Sequence, residues 1–248
     1  HKLLAVRWRK KIDAVLGTGS LGVEWWKRAG FYNHQVIEWG YFVDFPNEMS
    51  SQIGEVNDTA FKITSVASLS NRKNHKVLIK ALKELSGWNL TLIGTGPEEK
   101  NIRNLVIALG LTDKVEFFGS IPNQEVFNHI ANADLFILPS KYDGWGAVIN
   151  EALCVGTPVV CSDACGAKSL ITDKFLGQVF NSEDAKDLKR CIEERIQAGK
   201  ISLNTRQRIR IWANNCIHPK VAVDSFISLV INMKENEFAD SFVAPWKD

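Results

Sequence analysis

The 248 residues are 45% hydrophobic and 23% charged with a formal net charge of +2, which suits a globular chain of one or two domains. The near-balance of charge gives no sign of nucleic-acid binding, and no run of about 18 purely apolar residues suggests a membrane span. Five cysteines, at 154, 161, 165, 191 and 216, lack the number and spacing of a disulfide framework or zinc site, so they read as free thiols in a reducing, cytoplasmic compartment.

The chain starts at His1 instead of Met and shows no signal peptide, so the beginning of a longer protein is expected to be missing. The basic run "RWRKK" (7–11) reads as a solvated helix face, with peripheral contact to the cytoplasmic membrane face as the alternative. "IDAVLG" (12–17) reads as a strand, "SLGVEWWKRAG" (20–30) as a helix and "QVIEWG" (35–40) as a second strand. A polar, turn-rich stretch to residue 60 follows. Strands and helices then alternate. "KITSVAS" (62–68) precedes "KVLIKALKEL" (76–85), "NLTLIG" (89–94) precedes "EKNIRNLVIALG" (99–110), and "KVEFFG" (114–119) precedes "QEVFNHIANA" (124–133). "DLFILP" (134–139) precedes "GAVINEALCVG" (146–156), and "PVVCS" (158–162) comes next. Nearly all-apolar strands alternating with helices predict an α/β fold with a doubly wound parallel sheet, its ligand beyond the carboxyl ends of the strands. "TRQRIRIWANNCI" and "VAVDSFISLVINMKE" read as two final helices.

"KYDGWGAVINEALCVGTPVV" (141–160) carries the densest chemistry. A Gly-Trp-Gly turn opening a helix offers backbone N–H groups and a positive dipole end to an anion. Glu151, eight residues past Asp143, would lie roughly 12 Å away at helical rise, about the span of a sugar-diphosphate-ribose unit. Asp143 is open to two readings, a helix cap or a ligand of a sugar hydroxyl. Glu151 sits among Ala147, Val148, Ala152 and Leu153, where a carboxylate is out of place on a merely solvated face. Arg72 and Lys73, in the turn after the first strand of this region, supply cations at the same sheet edge. Gly94 and Gly96 form a tight turn in "IGTGPEE", but Glu99 stands where a dinucleotide fingerprint needs its third glycine. Ile121, at the end of "FFGSI", could lie against a flat base.

Taken in order, these motifs resemble the large retaining GT-B glycosyltransferase family called GT4. The resemblance rests on Pro139-Ser140, Asp143-Gly144-Trp145-Gly146, Glu151-Ala152 and Gly156-Thr157-Pro158-Val159-Val160, with "VASLSNRKNHKVLIKA", "IGTGPEE", "VEFFGSI" and "ANADLFILPS" upstream. It implies a GT-B fold of two Rossmann-like domains. Residues 1–45 would end an amino-terminal acceptor-binding domain, 46–60 would link, 61–225 would form the nucleotide-sugar donor domain, and 226–248 would cross back as a carboxyl-terminal helix and tail. It further implies that Glu151 binds ribose hydroxyls, Asp143 the donor sugar and Lys73 the diphosphate, these three being the catalytic candidates. Gly94, Ile121, Gly144, Trp145, Gly146, Ala147 and Val148 would line the donor, although core packing is the simpler reading of Trp145. Two positions depart from the pattern: Asp143 is one methylene shorter than the usual Glu, and Ser68 replaces an Arg, whose charge Arg72 could supply.

The activity expected is retaining transfer of a sugar from a nucleotide diphosphate sugar, such as a UDP-sugar, to a saccharide or lipid-linked acceptor in polysaccharide or glycoconjugate synthesis. No cofactor, metal or nucleic-acid partner is expected, and the chain as given should bind donor without turning it over. The alternatives are an epimerase or phosphorylase of the same architecture, or a non-catalytic nucleotide-sugar binding module.

Overall fold

The structure, a computed structural model, describes residues 2–44, 60–182, 184–234 and 242–247. Apart from Ala60, the expected linker lies outside them. The first part contains helix α1 (Lys2–Trp8), strand β1 (Val15–Thr18), helix α2 (Gly19–Ala29) and strand β2 (Val36–Trp39). The two strands pair in parallel, Val15 opposite Val36 and Thr18 opposite Trp39. Among the cations of "RWRKK", Arg9 and Lys11 pack on aromatic faces: Arg9 lies 4.7 Å from the Tyr32 ring centroid and Lys11 5.7 Å from that of Trp8.

The second part alternates β3 (Phe61–Val66), α3 (His75–Leu82), β4 (Trp88–Ile93), α4 (Glu99–Ala108), β5 (Val115–Gly119), α5 (Asn123–Ala131), β6 (Leu135–Leu138), α6 (Val148–Cys154) and β7 (Val159–Ser162). It closes with β8 (Gly177–Phe180), α7 (Ala185–Ala198), α8 (Leu203–Cys216) and α9 (Pro219–Lys234). Six strands form one parallel sheet in the order β5-β4-β3-β6-β7-β8. The all-apolar strands follow from cover on both faces. In β6, Phe136 and Leu138 join the core beneath α5, α6 and α8, while Leu135 and Ile137 join the one beneath α3, α4 and α7.

The chain works outward from β3 to β5, then returns to β6 and works outward the other way. Connections from the neighbouring strands β3 and β6 therefore leave toward opposite faces, opening a crevice between their carboxyl ends. Glycines let the loops there approach closely. Gly94 has φ +126, and a Cβ would meet the Ala67 carbonyl oxygen at 2.2 Å.

Three expectations change. The helix read over 146–156 is shorter, Val148–Cys154, because Asp143 to Gly146 turn with Gly146 at φ +93. The helical rise from Asp143 to Glu151 therefore does not apply. A domain boundary after residue 225 would cut α9, which continues to Lys234. Finally, an 18-residue window within Leu203–Met233 reaches a mean hydropathy of 1.2, enough by composition for a span. The chain breaks helix there at Ile217–His218, and α8 buries Ile209 and Ala213 in the core.

Gly94→Ala should lower unfolding free energy by about 2 kcal/mol or more, since it adds a backbone clash to a left-handed φ. Gly87→Ala, at φ +74 with nothing within 4 Å, should lose only about 1 kcal/mol. Urea denaturation of both variants checks the difference, and equal losses would contradict it.

Candidate active site

Lys73 and Asp143 lie 70 residues apart, on the loops that follow β3 and β6, and meet across the crevice. The Lys73 ammonium donates to Asp143 Oδ2, and their side chains are only 12% and 11% exposed. Arg72 stands beside them, its guanidinium 3.9 Å from the same oxygen and 51% exposed. The backbone fixes both loops. The Lys141 N–H donates to the Arg72 carbonyl at 2.8 Å, and Arg72 Nη1 donates to the Tyr142 carbonyl at 3.2 Å. Asp143 is held from behind, its N–H donating to the Ala164 carbonyl at 3.0 Å and its carbonyl accepting from the Gly166 N–H at 3.1 Å. Gly166 is needed at this spot because a Cβ would come within 2.2 Å of the Gly144 carbonyl oxygen.

His75 begins α3, buried, with neither ring nitrogen partnered among the described residues. Burial and then the Lys73 charge lower its pKa to about 4, so it is neutral at pH 7. Lys73 and Arg72 are thus the cations of this loop that face Asp143.

Glu151 lies on α6, half-buried, with no hydrogen bond or ion pair to its carboxylate among the described residues. Burial raises its pKa above the usual value of 4.5. A desolvated carboxylate without a protein partner is suited to accept hydrogen bonds from a ligand hydroxyl pair. Cys154 and Cys165 are poor nucleophiles: burial, aided by Glu151, pushes Cys154 up to about 12, and burial also raises Cys165.

The other expected residues divide by what they touch. Ser68 is exposed, its hydroxyl 3.3 Å from that of Ser70. Gly94 donates its N–H to the Gly119 carbonyl at 2.7 Å, bringing the turns after β4 and β5 together. Ile121 packs part-buried against the α6-side core. Gly144 is exposed, and a Cβ there would meet nothing within 4 Å. Gly146 is buried, while Ala147 and Val148 are partly exposed at the start of α6.

The Trp145 side chain takes the core-packing role, the simpler reading of its sequence, in place of the donor-lining one. The indole is 2% exposed and packs with Tyr41 and Trp246, at centroid distances of 5.8 and 6.0 Å. Its Nε1 donates to Asn150 Oδ1 at 2.7 Å, and Asn150 Nδ2 donates to the Tyr41 carbonyl at 2.7 Å. Gly40 makes room, since a Cβ there would sit 2.6 Å from the indole. Sequence reasoning missed Asn150 and Trp246. A polar residue inside the apolar "AVINEALC" was the available signal for Asn150, whereas nothing local marks Trp246 as buried. Among the described residues, no three His, Cys, Asp or Glu side chains lie together as metal ligands would.

Glu151→Gln tests the cost of the buried carboxylate. The raised native pKa means that the folded chain binds the proton more tightly than the unfolded one, so stability falls as pH rises from 4.5 through the native pKa. The variant should therefore melt higher than the parent at pH 7, with the difference vanishing below pH 4.5. A lower melting temperature at pH 7 would contradict the assignment.

Comparison with known proteins identifies the family and the fold. The family model "Glycosyl transferases group 1" matches residues 47–212. The chain is 32% identical over 144 residues to the lipopolysaccharide core biosynthesis glycosyltransferase LpsE of Rhizobium meliloti, covering 58% of this chain and 41% of LpsE. It is 30% identical over 153 residues to the amylovoran biosynthesis glycosyltransferase AmsK of Erwinia amylovora, covering 58% and 38%. The chain thus spans less than half the length of these relatives. The fold superimposes on Anabaena HepE in complex with UDP with a TM-score of 0.78 at 20% identity, over 93% of this chain and 66% of that one. The parallel α/β architecture is that of GT-B glycosyltransferase structures, and the chain belongs to the group 1 glycosyl transferase family.

Proposed function

We propose that this chain is the donor-binding half of a retaining glycosyltransferase of the GT4 type. It takes a sugar from a nucleotide diphosphate sugar and passes it to a saccharide or lipid-linked acceptor in cell-surface polysaccharide synthesis. The observation that carries this reading is the convergence of Lys73, Arg72 and Asp143 at the crevice between β3 and β6. Two cations on one loop can receive the diphosphate, and their strongest effect falls on the charge that develops as it departs. Asp143 holds Lys73 in place and is positioned to accept a hydroxyl hydrogen bond from the donor sugar. Glu151 takes the ribose diol. The N–H groups of Ala147 and Val148 add neutral donors to the diphosphate, and Ile121 meets the base. Side chains and amides, instead of a divalent cation, balance the charge, so donor binding should survive EDTA.

The names of the relatives support the substrate class, since LpsE and AmsK are named for lipopolysaccharide core and amylovoran synthesis. HepE was solved with UDP, which makes uridine the first base to try. The cytoplasm, with peripheral contact to its membrane face, is the corresponding location.

Calorimetry against nucleotide sugars tests the proposal. Glu151→Ala should weaken binding by about 1.5–3 kcal/mol, the worth of a charged hydrogen bond. Arg72→Ala should weaken the nucleoside diphosphate far more than the uncharged nucleoside, with the loss shrinking in high salt. Unchanged affinity in the first variant, or equal losses in the second, would overturn these roles.

A further inference from the structure

The loop that sends Arg72 and Lys73 to Asp143 also lends Asn71 and Asn74 to a separate cavity of about 560 Å³. Lys76, Lys80, Lys141 and Ser182 complete its polar lining, between the amino-terminal ends of α3 and α7. None of the proposed donor-site residues lines it. Three lysines line this space, and no carboxylate does among the described lining residues. Glu98 pairs with Lys76 and compensates one charge. Lys141 donates to the neutral Asn71 Oδ1 at 2.8 Å, and Lys80 has no acceptor among the described residues.

The adjoining groove along α7 is different. There Lys189 pairs with Glu84, and Arg190 with Asp187 and Glu194 at 2.7 Å each. Among the described residues, three lysines thus line the cavity with one paired carboxylate, Glu98, beside them. Gathering like charges without a counterion is unfavourable, and lysine ammonium groups beside amide and hydroxyl donors match the oxygens of a phosphate. The volume is that of a small-molecule site.

We infer that this cavity is a second oxyanion site, apart from the donor crevice, for a ligand bearing a phosphate or diphosphate group. That group belongs either to a soluble metabolite or to a lipid head group, and both present the same oxygens to Lys80 and Lys141.

The test uses inorganic pyrophosphate as the probe in calorimetry. Arg72→Ala together with Lys73→Ala removes both donor-crevice cations, and the remaining pyrophosphate binding reports the cavity. Adding Lys80→Glu and Lys141→Glu to that variant should weaken pyrophosphate at least about tenfold, the scale of one charged hydrogen bond. Lys80→Ala with Arg72 and Lys73 intact should leave nucleotide-sugar affinity unchanged. The inference is overturned if Arg72→Ala with Lys73→Ala abolishes pyrophosphate binding, or if the added charge reversals leave it unaltered. Flotation with phosphatidic acid vesicles then separates the two sources. Loss of flotation in the doubly reversed chain assigns the site to a lipid phosphate, whereas a parent chain that binds pyrophosphate but does not float assigns it to a soluble one.

Discussion

The ion pair between Lys73 and Asp143 is the contact on which the organisation of the site depends. Strand order alone opens a crevice between β3 and β6, but an open crevice has no defined chemistry. The pair sets the positions of two loops whose residues are 70 apart in sequence. Both partners are mostly withdrawn from water, so removing one would leave a costly unpaired charge. Arg72 and the hydrogen bonds linking residues 72, 141 and 142 then hold register along the seam. In the proposed function, the diphosphate competes with Asp143 for Lys73. The free chain therefore keeps its cation in position at the expense of a bond that the ligand must share.

A second constraint runs through Trp145. Its backbone lies in the turn proposed to bind donor, and its indole is buried against Tyr41, Gly40 and Trp246. Three distant stretches of chain thus meet on one side chain. The Asn150 amide bridges the indole to the Tyr41 carbonyl, which fixes α6 against the end of the first part of the chain. Glu151 is the next residue, so the same bridge sets where its carboxylate is presented.

Much of this was legible in the sequence because its sources are local. The apolar strands and amphipathic helices marked the doubly wound sheet, and the strands lie within a few residues of their expected bounds. Asp143 and Glu151 could be singled out because charge beside a glycine turn, or within an apolar helix, is unusual, and Arg72 and Lys73 because they fall in a turn at the ligand edge of the sheet. Other features depend on contacts that no window contains. Nothing near Asp143 in the sequence marks it as the partner of Lys73. Core packing is the simpler reading of Trp145, but its partners Gly40 and Trp246 come from distant stretches that no window around it contains. The strand at Gly177–Phe180 begins Gly177-Gln178 and so lacks the apolar run that marked the other short strands. The lysines of the second cavity come from separate segments and look like ordinary surface charge one at a time.

A double-mutant cycle tests the central claim most directly. Lys73→Met, Asp143→Asn and the combined variant would be unfolded in urea, free and saturated with the tightest-binding nucleoside diphosphate. Removing either partner of a buried pair costs about 3 kcal/mol, so a large coupling between the two sites is expected in the free chain. It should shrink when the ligand is bound, because Lys73 then shares its charge with the diphosphate. A coupling that ligand leaves unchanged would show that the pair is a structural clasp and that the diphosphate binds elsewhere.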